Sequence, residues 1–158
     1  MAKETAGHTV KDIMTSPVLT IGRDKSVAEA VKVLLEHQIG GLPVVGADGK
    51  YLGMVTERTL LPHEEGLPFK RGTLLVFLGQ FVKGDQEIEK VLREARDRKV
   101  SDVMAKHVPT ATEETPVSEV AARMIHQNVH HIPVLRAGNV VGIVSRHDLL
   151  RIMAGLPE

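Results

Sequence analysis

Val10-Lys11-Asp12-Ile13-Met14 returns ninety positions later as Val100-Ser101-Asp102-Val103-Met104. The offset of 90 persists through Thr20 and Thr110, Val27 and Val117, Glu29 and Glu119, and Pro43-Val44 and Pro133-Val134. After Asp48-Gly49 it becomes 89, pairing Gly53 with Gly142, Val55 with Val144, and Leu60-Leu61 with Leu149-Leu150. A one-residue gap in a hairpin loop is where a chain tolerates a change of length. Such a duplication dictates architecture before any single residue does.

Each copy carries the same elements. In the first, Val27, Ala30, Val31, Leu34 and Leu35 form a stripe of helical period, with Ser26 and Glu29 spaced as a capping box. In the second the stripe is Val117, Val120, Ala121, Met124 and Ile125, with Thr115 read as the N-cap and Pro116 in the first turn. Two β-rich runs follow. They are Leu42 to Val45 and Tyr51 to Val55 across Asp48-Gly49, then Ile132 to Leu135 and Val140 to Val144 across Gly138-Asn139. A second helix is expected to open at Thr56 or Ser145 and to carry Leu60-Leu61 or Leu149-Leu150 inward. The predicted unit is strand, helix, strand, strand, helix. About fifty residues bury too little surface alone, so the two copies are expected to pack sheet to sheet about a pseudo-twofold axis as one domain.

Composition narrows the function. The 158 residues hold 20 Lys+Arg against 20 Asp+Glu, a formal net charge of +0, so no global field holds nucleic acid or an anionic membrane. With no Cys and no Trp, thiolate metal sites, cysteine nucleophiles and most base-stacking platforms are removed. The polar Met1 to Val10 and a longest apolar run of Leu74 to Leu78 point to a cytoplasmic chain that neither crosses nor enters a membrane. Between the copies, Pro62 to Arg71 reads as loop and Thr73 to Val82 as a strand or buried segment. Residues 85–99 read as a helix with Ile88, Val91, Leu92 and Ala95 on one stripe. This connector reads as structural, with a partner-binding element as the alternative.

No nucleophile elbow, His-Glu-x-x-His or phosphate loop is present, which argues against an enzyme. Gly142-Ile143-Val144-Ser145-Arg146-His147-Asp148 instead sets a hydroxyl at a helix N-cap with a carboxylate three residues on. Ser145 and free amides could hold phosphate oxygens, Arg146 or His147 could add charge, and Asp148 could accept from vicinal ribose hydroxyls. The plainer reading of Ser145 and Asp148 is a helix cap. The first copy has Thr56 and Glu57 but Thr59 at the place of Asp148, so as nucleotide sites the two copies are not equivalent. Ile39-Gly40-Gly41-Leu42-Pro43 and Val129-His130-His131-Ile132-Pro133 join helix to hairpin, either as helix C-caps or as main chain that a flat base could approach. His126 and His130, four apart with His131 nearby, form a conceivable metal pair without a third ligand; no metal site is assigned.

The doubled Val-x-Asp-apolar-Met, amphipathic helix, Leu/Ile-Pro-Val and Gly-apolar-Val-Ser/Thr-x-x-Asp/Thr-Leu-Leu resembles a tandem pair of cystathionine β-synthase (CBS) domains, the Bateman module. The resemblance covers Val10 to Leu61 and Val100 to Leu150, placing repeats at 10–61 and 100–152 around a connector at 62–99. It implies an α+β fold of two βαββα repeats and a regulatory, non-enzymatic module, often a homodimer. Such modules bind AMP, ADP, ATP or S-adenosylmethionine between the halves, with no cofactor required. Carried over by position, one cleft would use Ile143, Ser145 and Asp148 with Lys25, Ala30, Ile39, Gly40 and Leu42. The opposite, weaker cleft would use Met54 and Thr56 with Thr115, Val129, His130 and Ile132. The alternative is a ligand-free module that dimerises or docks to an enzyme or transporter.

Overall fold

Ser26 starts the first helix as its spacing predicts: Glu29 N–H donates to Ser26 Oγ at 3.1 Å and Ser26 N–H returns to Glu29 Oε2 at 2.9 Å. These bonds hold the Glu29 carboxyl below its usual range. The structure, a computed structural model, describes residues 7–60 and 86–155, without the side chains of residues 86–88, 91 and 92. Its first half runs β1 (Ile21–Gly22), α1 (Val27–His37), β2 (Gly41–Val45), β3 (Tyr51–Thr56) and α2 (Glu57–Leu60). α3 (Gln86–Asp97) and α4 (Val100–Val103) lead into the second half, α5 (Val117–His126), β4 (His131–Arg136), β5 (Asn139–Ser145) and α6 (Arg146–Met153). β1 pairs parallel to β2, and β2 antiparallel to β3, with Leu42 opposite Val55. β4 pairs antiparallel to β5, with Ile132 opposite Val144.

The first half is βαββα, as the repeat predicts. In the second, the first strand is reduced to one parallel bridge, Ala111 to Val134, among the described residues. Thr115 is not the cap of α5. Pro116 takes that position, because Thr115 Oγ1 accepts the Thr112 N–H at 2.9 Å and the Thr115 carbonyl accepts Val10 N–H at 2.9 Å. The second hairpin turns at Ala137-Gly138 rather than Gly138-Asn139, since both residues take positive φ, 49° and 80°, the geometry that twists with the strands. Leu61, the loop and segment expected over residues 62–82, and the Ile88-Val91-Leu92 stripe lie outside the described residues or side chains.

Each stripe is narrower than its period suggests. Val27, Ala30 and Leu34 are buried, and so are Val117, Val120 and Met124, while Leu35 (71% exposed) and Ile125 (78% exposed) face outward. Leu150 is likewise exposed, leaving Leu149 to pack on the core from α6.

The interlock between the halves comes from the repeated Val-x-Asp-apolar-Met segment, which crosses over. Val10, from the first copy, is buried in the second half's aliphatic cluster with Val120, Ile132 and Val144. Val100, from the second copy, is buried in the first half's cluster with Ala30, Leu42 and Val55. The backbone bonds repeat at the same offset. Val10 N–H donates to the Thr115 carbonyl and Val100 N–H to the Lys25 carbonyl; Lys11 N–H donates to the Glu113 carbonyl and Ser101 N–H to the Arg23 carbonyl. Thr15 exchanges both main-chain bonds with Ile143, and Ala105 exchanges both with Met54. Each half therefore completes the other's core and sheet edge, and neither buries its full apolar surface alone. Further contact comes at the hairpins, where Tyr51 N–H donates to the Gly138 carbonyl and Lys50 Nζ to the Ala137 carbonyl at 2.8 Å.

Candidate functional site

β5 ends where α6 begins, so Ser145 leaves the strand in extended backbone and caps the helix. Ser145 N–H donates to Asp148 Oδ2 at 2.6 Å, Ser145 Oγ lies 2.8 Å from the same oxygen, and Asp148 N–H points back to Ser145 Oγ at 3.4 Å. The capping box is thus formed, and Asp148 Oδ1 takes part in none of these bonds. A carboxylate offers about four lone-pair sites, so one face of Asp148 keeps acceptor capacity for ligand hydroxyls. Both residues are half-buried, and Arg146 and His147 are exposed at the first turn.

The register sets His131 beside Ser145 across the β4–β5 pair. Its ring reaches over to the first half: a Cβ placed on Gly40 would lie 3.1 Å from His131 Cε1, and one on Gly41 3.2 Å from His131 Cγ. One imidazole thus spans from the Ser145–Asp148 cap to the Gly40–Gly41 main chain. Met54 Cε closes the apolar side, 3.3 Å from the same Gly41 position. The two halves therefore meet here through the His131 ring, between a polar cap on one half and bare backbone on the other.

Other sequence-predicted residues fall in two groups. Ala30 and Leu42 are fully buried in the first cluster, and Ile39 is half-buried against it, so they support Gly40 from beneath rather than offer open side-chain surface. Lys25 is exposed, just before α1, and its Nζ sits 3.0 Å from Glu29 Oε1 in the first turn of that helix. Ile143 is half-buried on the wall beside Ser145.

At the equivalent place in the first half Thr59 Oγ1 accepts Thr56 N–H at 2.9 Å and donates to the Thr56 carbonyl at 3.1 Å, satisfying the strand end with a hydroxyl where the second half uses a carboxylate. Met54 is only 1% exposed and Ile132 is fully buried, while Val129 packs on the second cluster and Thr115 is occupied as described. His130 Nε2 lies 2.7 Å from Arg146 Nη1; because a guanidinium only donates, that nitrogen accepts. The pair ties a residue assigned to one cleft to a residue assigned to the other. Among the described residues no group of three His, Cys, Asp or Glu could hold a metal ion, and His126 stands exposed at the end of α5.

His131 was named in the sequence only within the helix-to-hairpin segment and as a neighbour of the His126–His130 pair. The available signal was its counterpart: the first copy has Gly41 at the same repeat position. Burial pushes its imidazole below its ordinary value of 6.5, the neighbouring His130 lowers it further, and Asp148 acts in the opposite direction. A depressed value means that the unfolded chain binds the proton more readily than the folded one. His131 thus contributes stability that is complete above pH 6.5 and is lost as pH falls below it. Melting curves at pH 7.5 and 5.5 are expected to show a larger acid loss for the native chain than for His131→Asn; parallel losses would contradict this environment.

The family model described as the CBS domain matches residues 10–65 and 100–155. An uncharacterised protein of Methanocaldococcus jannaschii, MJ1426, is 30% identical over 152 residues, spanning 91% of this chain and 90% of its own length. The CBS domain of a CBS domain-containing membrane protein from Sphaerobacter thermophilus superposes with a TM-score of 0.71 at 36% identity, covering 91% of this chain and 86% of the other. The CBS domain pair of protein MJ0100, solved with 5'-methylthioadenosine and S-adenosyl-L-methionine, gives a TM-score of 0.69 at 30% identity, with coverage of 94% and 97%. No described helix is long and apolar enough to cross a membrane.

Proposed function

The chain belongs to the CBS domain family, and we propose that it is a regulatory, non-enzymatic module that binds an adenosyl compound in the cleft between its repeats. The observation that supports this reading is the Ser145–Asp148 cap, with one carboxylate oxygen left out of it, paired through the register with His131, whose ring meets the Gly40–Gly41 main chain of the other half. Asp148 accepts from the ribose hydroxyls, and Ser145 and Arg146 meet an anionic group or its equivalent. The kinship with the MJ0100 pair, which holds adenosyl ligands, supports the same ligand class: AMP, ADP, ATP or S-adenosylmethionine. Ligand bridging both halves favours one relative arrangement of them, and that change of shape is the output; no covalent step is needed.

The exposed Leu35 and Ile125, equivalent in the two copies, favour a second copy or a regulated protein covering the α1 and α5 faces. We assign the chain to the cytoplasm on composition. A ligand-free docking module is the rival reading, and a thermal-shift screen against the four compounds separates them. A ligand of the folded state at a hundred times its Kd adds about 2.7 kcal/mol, a rise of roughly 5–10 °C for a chain of this length. No shift with any of the four would leave docking as the function.

A further inference from the structure

We propose that Met14 and Met104 are a paired oxidation site: a hydroperoxide turns either thioether into its sulfoxide and so loosens the hold of one half on the other.

The two methionines close the Val-x-Asp-apolar-Met segments that cross between the halves, ninety positions apart. Each lays its sulphur on a glycine of the other half, and those glycines, Gly142 and Gly53, are themselves repeat equivalents. A Cβ placed on Gly142 would lie 2.5 Å from Met14 Sδ and 3.1 Å from its Cγ. One placed on Gly53 would lie 3.2 Å from Met104 Sδ and 2.6 Å from the Ala105 carbonyl oxygen. The thioether therefore fills the space a side chain would take, and no room is left there for an added oxygen. Met14 packs against the aliphatic cluster that holds Val10, and Met104 against the one that holds Val100, so a polar sulfoxide also loses its match to these surroundings.

Exposure ranks the methionines. Met153 stands 78% exposed at the end of α6, Met14 and Met104 are half-buried, and Met54 and Met124 are buried. The chain has no Cys to intercept the oxidant first. In the step itself, sulphur gives an electron pair to one peroxide oxygen, the O–O bond breaks, and the other oxygen leaves as water, or as an alcohol from an organic hydroperoxide. Sulphur is oxidised as the peroxide is reduced, and a methionine sulfoxide reductase reverses the change.

The native chain, treated with hydrogen peroxide and mapped by peptide mass spectrometry, is expected to gain oxygen at Met153 first, at Met14 and Met104 next, and at Met54 and Met124 last. As Met14 and Met104 convert, the Tm should fall by about 5 °C, and reductases acting on both sulfoxide epimers should restore it. The double variant Met14→Leu, Met104→Leu keeps an apolar side chain at each glycine and should hold its Tm to within about 1 °C under the same treatment, although Met153 still oxidises. Should the double variant lower the yield, the two single variants carry the test, each losing about half of the native fall. Conversion of Met14 and Met104 no faster than that of Met54 and Met124, conversion without a fall in Tm, or an equal fall in the double variant overturns the assignment.

Discussion

Gly53→Ala is expected to cost about 2–3 kcal/mol of stability, the scale of overpacking a closed contact, and to lower the Tm by roughly 5–10 °C. A Cβ at Gly53 would lie 2.6 Å from the Ala105 carbonyl oxygen. That oxygen is main chain and cannot swing aside, because Ala105 and Met54 exchange hydrogen bonds at 2.8 and 2.9 Å. The crossing segment would have to lift from the first half and take Val100 out of the core with it. Gly142→Ala, the repeat equivalent, should cost about 1 kcal/mol, the low end of the same range. There the nearest atom, at 2.5 Å, is Met14 Sδ, which rotates away, and the Thr15 carbonyl oxygen stands back at 3.2 Å. Thermal melts of the two variants check the difference. Equal losses, or a larger one at Gly142, would mean that the crossing segments do not bind the halves as described.

Asp148→Ala is expected to weaken binding of an adenosyl ligand by at least about a hundredfold, since two charge-assisted hydrogen bonds to vicinal hydroxyls are each worth about 1.5–3 kcal/mol. Thr59→Ala should change it less than about threefold, a difference under 1 kcal/mol, because its hydroxyl is spent on its own backbone. Asp148 also caps α6, so its loss costs about 1 kcal/mol of stability as well, a part read separately from the thermal melt of the ligand-free variant. Titration calorimetry on the two variants measures the ligand part. If Asp148→Ala and Thr59→Ala lower affinity alike, the ligand does not sit at the Ser145 end.

The repeat was legible because the same apolar and turn residues recur in order, and element types follow from period and caps. The crossing of Val10–Met14 and Val100–Met104 was not. A segment that docks on its own repeat and one that docks on the other present the same apolar pattern, and only contact distinguishes them. A helical stripe likewise names a face but not its edge, so Leu35, Ile125 and Leu150 read as inward although the partner surface ends short of them. For the site, Ser145 and Asp148 were readable from spacing, with capping and ligand roles open, and the structure forms the cap while leaving one carboxylate oxygen out of it. His131 was hidden by its type. A histidine beside a histidine suggests metal, whereas the informative contrast lay with Gly41, across the cleft and ninety positions earlier.

The central claim is that one ligand touches both halves at once, and amide chemical-shift mapping during an AMP titration tests it most directly. The cap residues 145–148 and the Gly40–Gly41 amides should shift together along one saturating curve. Shifts confined to residues 56–59, to a single half, or absent at saturating AMP would contradict it.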